Sequence, residues 1–114
     1  MVRLKGALII RVRKSFSQAM GDEIARLRRN KALSGRELGS LVGLSQQQIS
    51  RYENGVCEIP IVILCNLLFY LDTSLDTYFY FVSKRLKQNN PNLYNKFAFI
   101  FEQCGMNITQ LGWG

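Results

Sequence analysis

Leu33 to Gly55 reads LSGRELGSLVGLSQQQISRYENG, and this run decides the fold. Ser34 stands three residues before Glu37, the capping-box spacing in which hydroxyl and carboxylate each satisfy an orphan amide at a helix start. Leu38, Leu41 and Val42 then repeat at helical spacing and define an apolar face. Gly43 follows, where the chain must leave the helix and a left-handed residue costs least as glycine. Ser45 caps a second helix. On it Ile49 and Tyr52 lie one turn apart and point one way, whereas Gln46, Gln47, Ser50, Arg51 and Asn54 point the other. Asn54-Gly55 ends it. The run is therefore two short helices joined by a tight glycine turn. Leu38, Leu41, Leu44, Ile49 and Tyr52 are the expected core.

A short helix with an amide-rich outer face, entered through a glycine turn, suits insertion into a DNA major groove. Gly39 fits this reading. It lies four residues before the turn glycine, inside the bend, where a larger side chain would push the helices apart. Cap, small residue, turn glycine, buried isoleucine and terminal Asn-Gly all fall in register. The segment resembles the helix-turn-helix of the phage Cro and repressor type (the XRE family), down to the QQQISRYENG run, and the resemblance covers roughly residues 20–79.

That resemblance implies an all-α fold: a five-helix, lambda repressor-like domain, here with an additional C-terminal helix. It implies double-stranded DNA as partner and a homodimer on half-sites one helical turn apart. Gln46 and Gln47 open the recognition helix, residues 45–54, where side chains meet base edges; a glutamine amide can pair with adenine N6 and N7. Arg51 reaches a guanine or a phosphate, and Ser50 is a weaker contact. Gln48 falls between groove and protein. Asn54, the Gly55 backbone, Ser45 and Arg36 are the expected phosphate contacts. A basic residue at the Arg28 position commonly pairs with the glutamate of the Tyr-Glu-Asn-Gly run, here Glu53, so Arg28 is expected to be structural. One departure stands out. The family usually opens its second helix with a phosphate-holding glutamine, and this chain has Gly35 there. A weaker anchor follows, partly replaced by Arg36.

Length and composition agree. A chain of 114 residues, 47% hydrophobic and 20% charged, can bury a globular core. Its formal net charge is +7, and residues 1–55 carry eleven Lys/Arg against four Asp/Glu, whereas residues 56–114 carry four of each. The whole excess lies on the half with the two-helix unit, as phosphate binding requires. There is no histidine. Without paired carboxylates or a phosphate-binding glycine loop, nothing is equipped to run a reaction, and no cofactor, metal or small-molecule ligand is expected. Cys57, Cys65 and Cys104 have no metal-type spacing, which suits reduced thiols in the cytoplasm. Cys65 lies in an apolar run and is assigned to the core. No apolar run approaches the roughly 20 residues of a spanning helix. The basic start, MVRLKGALIIRVRK, lacks a cleavage site and does not read as a signal peptide.

Along the chain, three segments are expected. Residues 1–16 alternate apolar with basic and fit a short strand, a basic arm along DNA, or an extension upstream of a domain starting near Met20. Residues 17–80 hold the DNA-binding domain. Its first helix is 17–32. Residues 60–71, PIVILCNLLFYL, form a buried helix opened by Pro60. A fifth helix, capped by Thr73 or Ser74, runs from Leu75 to about Leu86. Residues 81–114 form a C-terminal extension. Its helix, 91–104, carries Leu93, Tyr94, Phe97, Ala98, Ile100 and Phe101, and either caps the core or pairs with a second subunit. The tail ends in Trp113 between glycines.

More narrowly, SGRELGSLVGLSQQQISRYENGVCEIP followed by an aromatic-rich helix resembles small regulators encoded with fimbrial operons. That would imply adhesion and motility genes as targets. The alternative from another class is an interaction module, such as an antitoxin or control protein, acting through its C-terminal helix. An antitoxin tail is usually disordered and charged, whereas residues 91–104 are apolar.

Overall fold

A computed structural model describes the backbone of residues 2–105 and the side chains of 8–105. Six helices follow one another: α1 (Val2–Asn30), α2 (Gly35–Val42), α3 (Gln46–Glu53), α4 (Ile61–Tyr70), α5 (Leu75–Asn89) and α6 (Pro91–Phe101). No strand occurs among the described residues, and Trp113 lies outside them.

Local chemistry sets the short helices. The Ser34 hydroxyl accepts from the Glu37 amide at 3.0 Å, and the Ser34 amide donates to Glu37 Oε1 at 2.9 Å, which closes the capping box. These bonds hold the Glu37 carboxyl below its ordinary pKa. Gly43 leaves α2 in the left-handed region at φ +77°, and the Leu44 amide returns to the Gly39 carbonyl at 2.8 Å. Ser45 caps α3 through the Gln48 amide, and Ser74 caps α5 through the Thr77 amide. Pro60 stands one residue before α4, and Pro91 occupies the first position of α6.

The largest difference from expectation is at the start. Residues 1–16, read as strand or arm, continue the first helix without a break from Val2. The alternation of residues 8–13 suggested a strand. Read at helical spacing, however, Val12, Phe16 and Ala19 share one face, and that face packs. Phe16 meets Phe97 edge-on with ring centroids 5.5 Å apart and stacks on Phe101 at 6.2 Å. Tertiary contact thus favours helix over the local pattern.

The core gathers Ile24, Leu38, Ile49, Leu64, Leu67, Tyr78, Val82 and Leu86, all fully buried. Phe101 joins it from α6, so the C-terminal helix caps this core and is part of the same packing unit. A boundary at residue 80 falls in the middle of α5. Two core assignments change: Leu41 and Cys65 are exposed, whereas Leu44 is half-buried and packs against the core. α4 is apolar except for Asn66 and the Tyr70 hydroxyl, so its sequence says little about which face turns inward. Leu64, Leu67 and Leu68 take the core; Ile61, Val62, Cys65 and Phe69 face outward. No single helix among the described residues is long and apolar enough to cross a membrane.

α1 reaches α3 through a glycine. A methyl group on Gly21 would stand 2.1 Å from the Tyr52 carbonyl oxygen and 2.8 Å from that of Glu53. Both are backbone atoms that no side-chain rotation can move aside. Gly21→Ala is therefore expected to destabilise the protein by about 3 kcal/mol or more. Gly43→Ala has open space around it, so it should cost only the left-handed strain of about 1–2 kcal/mol. Urea unfolding of both variants checks this order; equal losses would contradict it.

Candidate nucleic-acid interface

α3 is split cleanly by burial. Ile49 and Tyr52 lie in the protein, whereas Gln46, Gln47, Ser50 and Arg51 are all exposed. The expected base-reading residues therefore share one solvent face. Gln48 faces neither way: it is half-buried, and its amide donates to Cys57 Sγ at 3.7 Å. A methyl on Gly35 would meet Gln46 Cγ at 3.7 Å and Ile49 at 3.9 Å. The start of α2 thus lies against the start of α3, with ordinary room for a larger residue.

The flanks of α3 hold the expected phosphate residues. Ser45 is exposed, and its hydroxyl accepts the cap bond, leaving its own proton free to donate. Arg36 is exposed at the start of α2. Asn54 is exposed at the other end, where its side-chain amide donates to Ser50 Oγ at 3.2 Å. Gly55 turns the chain at φ +70°, and its amide returns to the Tyr52 carbonyl at 3.1 Å. A Cβ there would stand 2.9 Å from Gln18 Cα, so the turn after α3 is pressed against the backbone of α1.

Arg28 ties the ends together. Its guanidinium donates to both Glu53 oxygens, at 2.7 and 2.9 Å, and to the Leu33 carbonyl at 2.8 Å. The side chains are only 16% and 11% exposed, so the fork is largely out of water. Hydrogen bonding to Glu53 raises the Arg28 pKa further above its ordinary value, with burial opposing. Glu53 occupies the last turn of α3, where a carboxylate opposes the helix dipole. Arg28 offsets that opposition and at the same time places the α1–α2 turn, through Leu33, relative to α3.

Sequence reasoning missed a second ionic knot. The Glu23 side chain is 1% exposed and receives Arg26 from α1 and Arg85 Nε, at 3.2 Å, from α5. A buried carboxylate requires such partners. Its signal was available as an acid in a basic helix, but Arg85 lies sixty-two residues away. Beside Asn54 a hollow of about 340 Å³ is lined by Arg26, Arg29 and Arg85 against Asp22 and Glu53. Tyr78, also unassigned from sequence, donates from its buried hydroxyl to the Met20 carbonyl at 2.8 Å. Burial pushes its pKa up, with the Glu23 charge acting in the same direction. Among the described residues, no group of acidic or cysteine side chains could hold a metal ion.

Compared with known proteins, residues 19–77 match the family model of a helix-turn-helix domain. No curated protein matches the chain.

The ion pair makes a testable claim about the scaffold. Glu53→Gln strands a largely buried guanidinium and is expected to cost about 3 kcal/mol. The double variant Glu53→Gln with Arg28→Met should lose less than the two single losses added together. Chemical denaturation of the four proteins reads this coupling; strict additivity would mean that the fork contributes nothing.

Proposed function

The chain belongs to the helix-turn-helix domain family, and from that membership we propose that it is a sequence-specific transcriptional regulator that reads a palindromic operator as a homodimer. The observation that carries the reading is the division of α3. Gln46, Gln47, Ser50 and Arg51 are exposed together on a helix whose other face is locked into the core. In the proposed mode Gln46 and Gln47 meet base edges, with Ser50 and Arg51 one turn behind. Asn54, the Gly55 backbone, Ser45 and Arg36 hold phosphates, and Arg28 with Glu53 keeps α3 at its angle. The protein binds without catalysing a reaction, in the cytoplasm where its DNA lies. The narrower likeness of residues 34–60 makes fimbrial and motility genes the proposed targets.

The dimer reading rests on exposed apolar surface. Phe99 and Ile100 on α6 are 71% and 57% exposed, although neighbouring Phe101 is buried. Ile100 lines an apolar groove with Val12 and Phe16, one turn from exposed Leu8 on α1. We take this face as the subunit contact.

Two measurements test the proposal. Selection of sites from a random duplex pool should enrich a palindrome. Gln46→Ala or Gln47→Ala should then cost about 1–3 kcal/mol on that site and little on random DNA. Equal loss on both would remove these residues from base reading. In sedimentation, Phe99→Ser with Ile100→Ser should convert dimer to monomer, whereas Val62→Ser with Phe69→Ser should leave it dimeric. The reverse pattern would move the contact to α4.

A further inference from the structure

The first seventeen residues of α1 lie outside the segment that matches the helix-turn-helix family. They are nonetheless continuous with it, because α1 runs unbroken from Val2 to Asn30. Where this helix passes the turn after α3, a groove of about 580 Å³ opens between Lys14 and Ser17 on one side and Gly55 to Glu58 on the other. The turn lies tight against the helix, since a Cβ at Gly55 would stand only 2.9 Å from Gln18 Cα. Arg13 pairs with Glu58 across this groove, which neutralises the acid at its rim. Lys14 and Arg11 are exposed one turn apart, and neither forms an ion pair among the described residues. They share the side of α1 that leads to Gln18, and so to Gly55. The opposite side, with Val12 and Phe16, is turned to α6.

We propose that Arg11 and Lys14 form a second phosphate-binding stripe that carries the protein along the DNA backbone beyond the recognition helix. The ligand is the run of phosphodiester groups next to the one held at Asn54 and Gly55, so the inference rests on the DNA-reading function proposed above. The spacing suits it. Arg11 to Gln18 spans about 10 Å of helix, which matches the rise of about three nucleotides along the duplex axis. The charge suits it as well, since with Arg13 and Glu58 paired to each other Lys14 stands as the uncompensated cation in the groove. In this arrangement the extension adds affinity and footprint length, and base choice stays with α3.

The test uses the full chain with Arg11→Gln and Lys14→Gln together, against a control that removes the same charge from other helices, Lys84→Gln on α5 with Lys96→Gln on α6. Affinity is measured against salt on the selected site and on a random duplex of equal length. Two lost phosphate contacts per subunit, four on a bound dimer, should reduce the steepness of log K against log salt by about 3.6 on both duplexes. The control should keep the parent slope. Hydroxyl-radical footprinting should show protection withdrawn from a few nucleotides in each half-site, symmetrically about the palindrome, with the base preference retained. An unchanged slope overturns the stripe, and so does an equal fall in the control, which would reveal a general charge effect. Failure of the parent reading looks different: the unaltered protein would enrich no site, while the slopes on random duplex would still decide for or against the stripe. Thermal unfolding of both double variants, which alter only exposed side chains, shows that the comparison is made on folded protein.

Discussion

The geometry of the helix pair depends on how α1 is fastened to the end of α3. Three contacts act within a few residues of one another: the Arg28 fork on Glu53, the backbone approach at Gly21, and the approach of Gly55 to Gln18. None of them is a large apolar burial. They are directional, and direction is what an eight-residue helix needs, because so short a helix has little stability of its own. The position of Glu53 in the last turn makes the fork necessary, since without a cation the carboxylate would oppose both its own helix dipole and its burial. Arg28 meets that need and, through the Leu33 carbonyl, sets the entry to α2 as well.

Around this junction the structure divides its labour by face. α3 gives Ile49 and Tyr52 to the core and keeps its amides for solvent. α1 does the same over a greater length, with Val12, Phe16 and Ala19 inside and Arg11, Lys14 and Gln18 outside. Phe16, Phe97, Phe101 and Phe79 then join α1, α6 and α5 in one aromatic cluster. The consequence for function is rigidity: whatever α1 touches is held in fixed register with the outer face of α3.

Charge follows the same logic at two depths. Glu23 is buried and takes two guanidiniums, Arg26 from α1 and Arg85 from α5, so these two cations are committed to an acid inside the fold. Lys31 is paired with Asp72, and Arg13 with Glu58, at the surface. Exposed pairs of this kind contribute little to stability. They do, however, decide which cations remain uncompensated, and these form the pattern a polyanion would meet. The count of +7 alone does not show that pattern.

Much of the scaffold of the candidate site was legible in the sequence because it is local. A capping box, a turn glycine and a serine cap lie within a few residues of the backbone groups they satisfy, so Ser34, Glu37, Gly43 and Ser45 could be placed by spacing. The exposed face of α3 followed from 3.6-residue periodicity alone. The all-helical fold, with a helix beyond the helix-turn-helix, was legible for the same reason. What tertiary structure decided is whatever depends on a distant partner. Residues 1–16 alternate like a strand, and they are helix because Phe16 finds Phe97 and Phe101. PIVILCNLLFYL carries only Asn66 and Tyr70 as polar marks, too few to define a face, so packing decided that Leu64 is inside and Cys65 outside. Gly21 looks like an ordinary helix glycine until the carbonyls of Tyr52 and Glu53 arrive 2–3 Å from where its side chain would be. Sequence determines what a segment can satisfy by itself; the fold decides which of its remaining faces is covered, because only there do residues far apart in the chain compete for the same space.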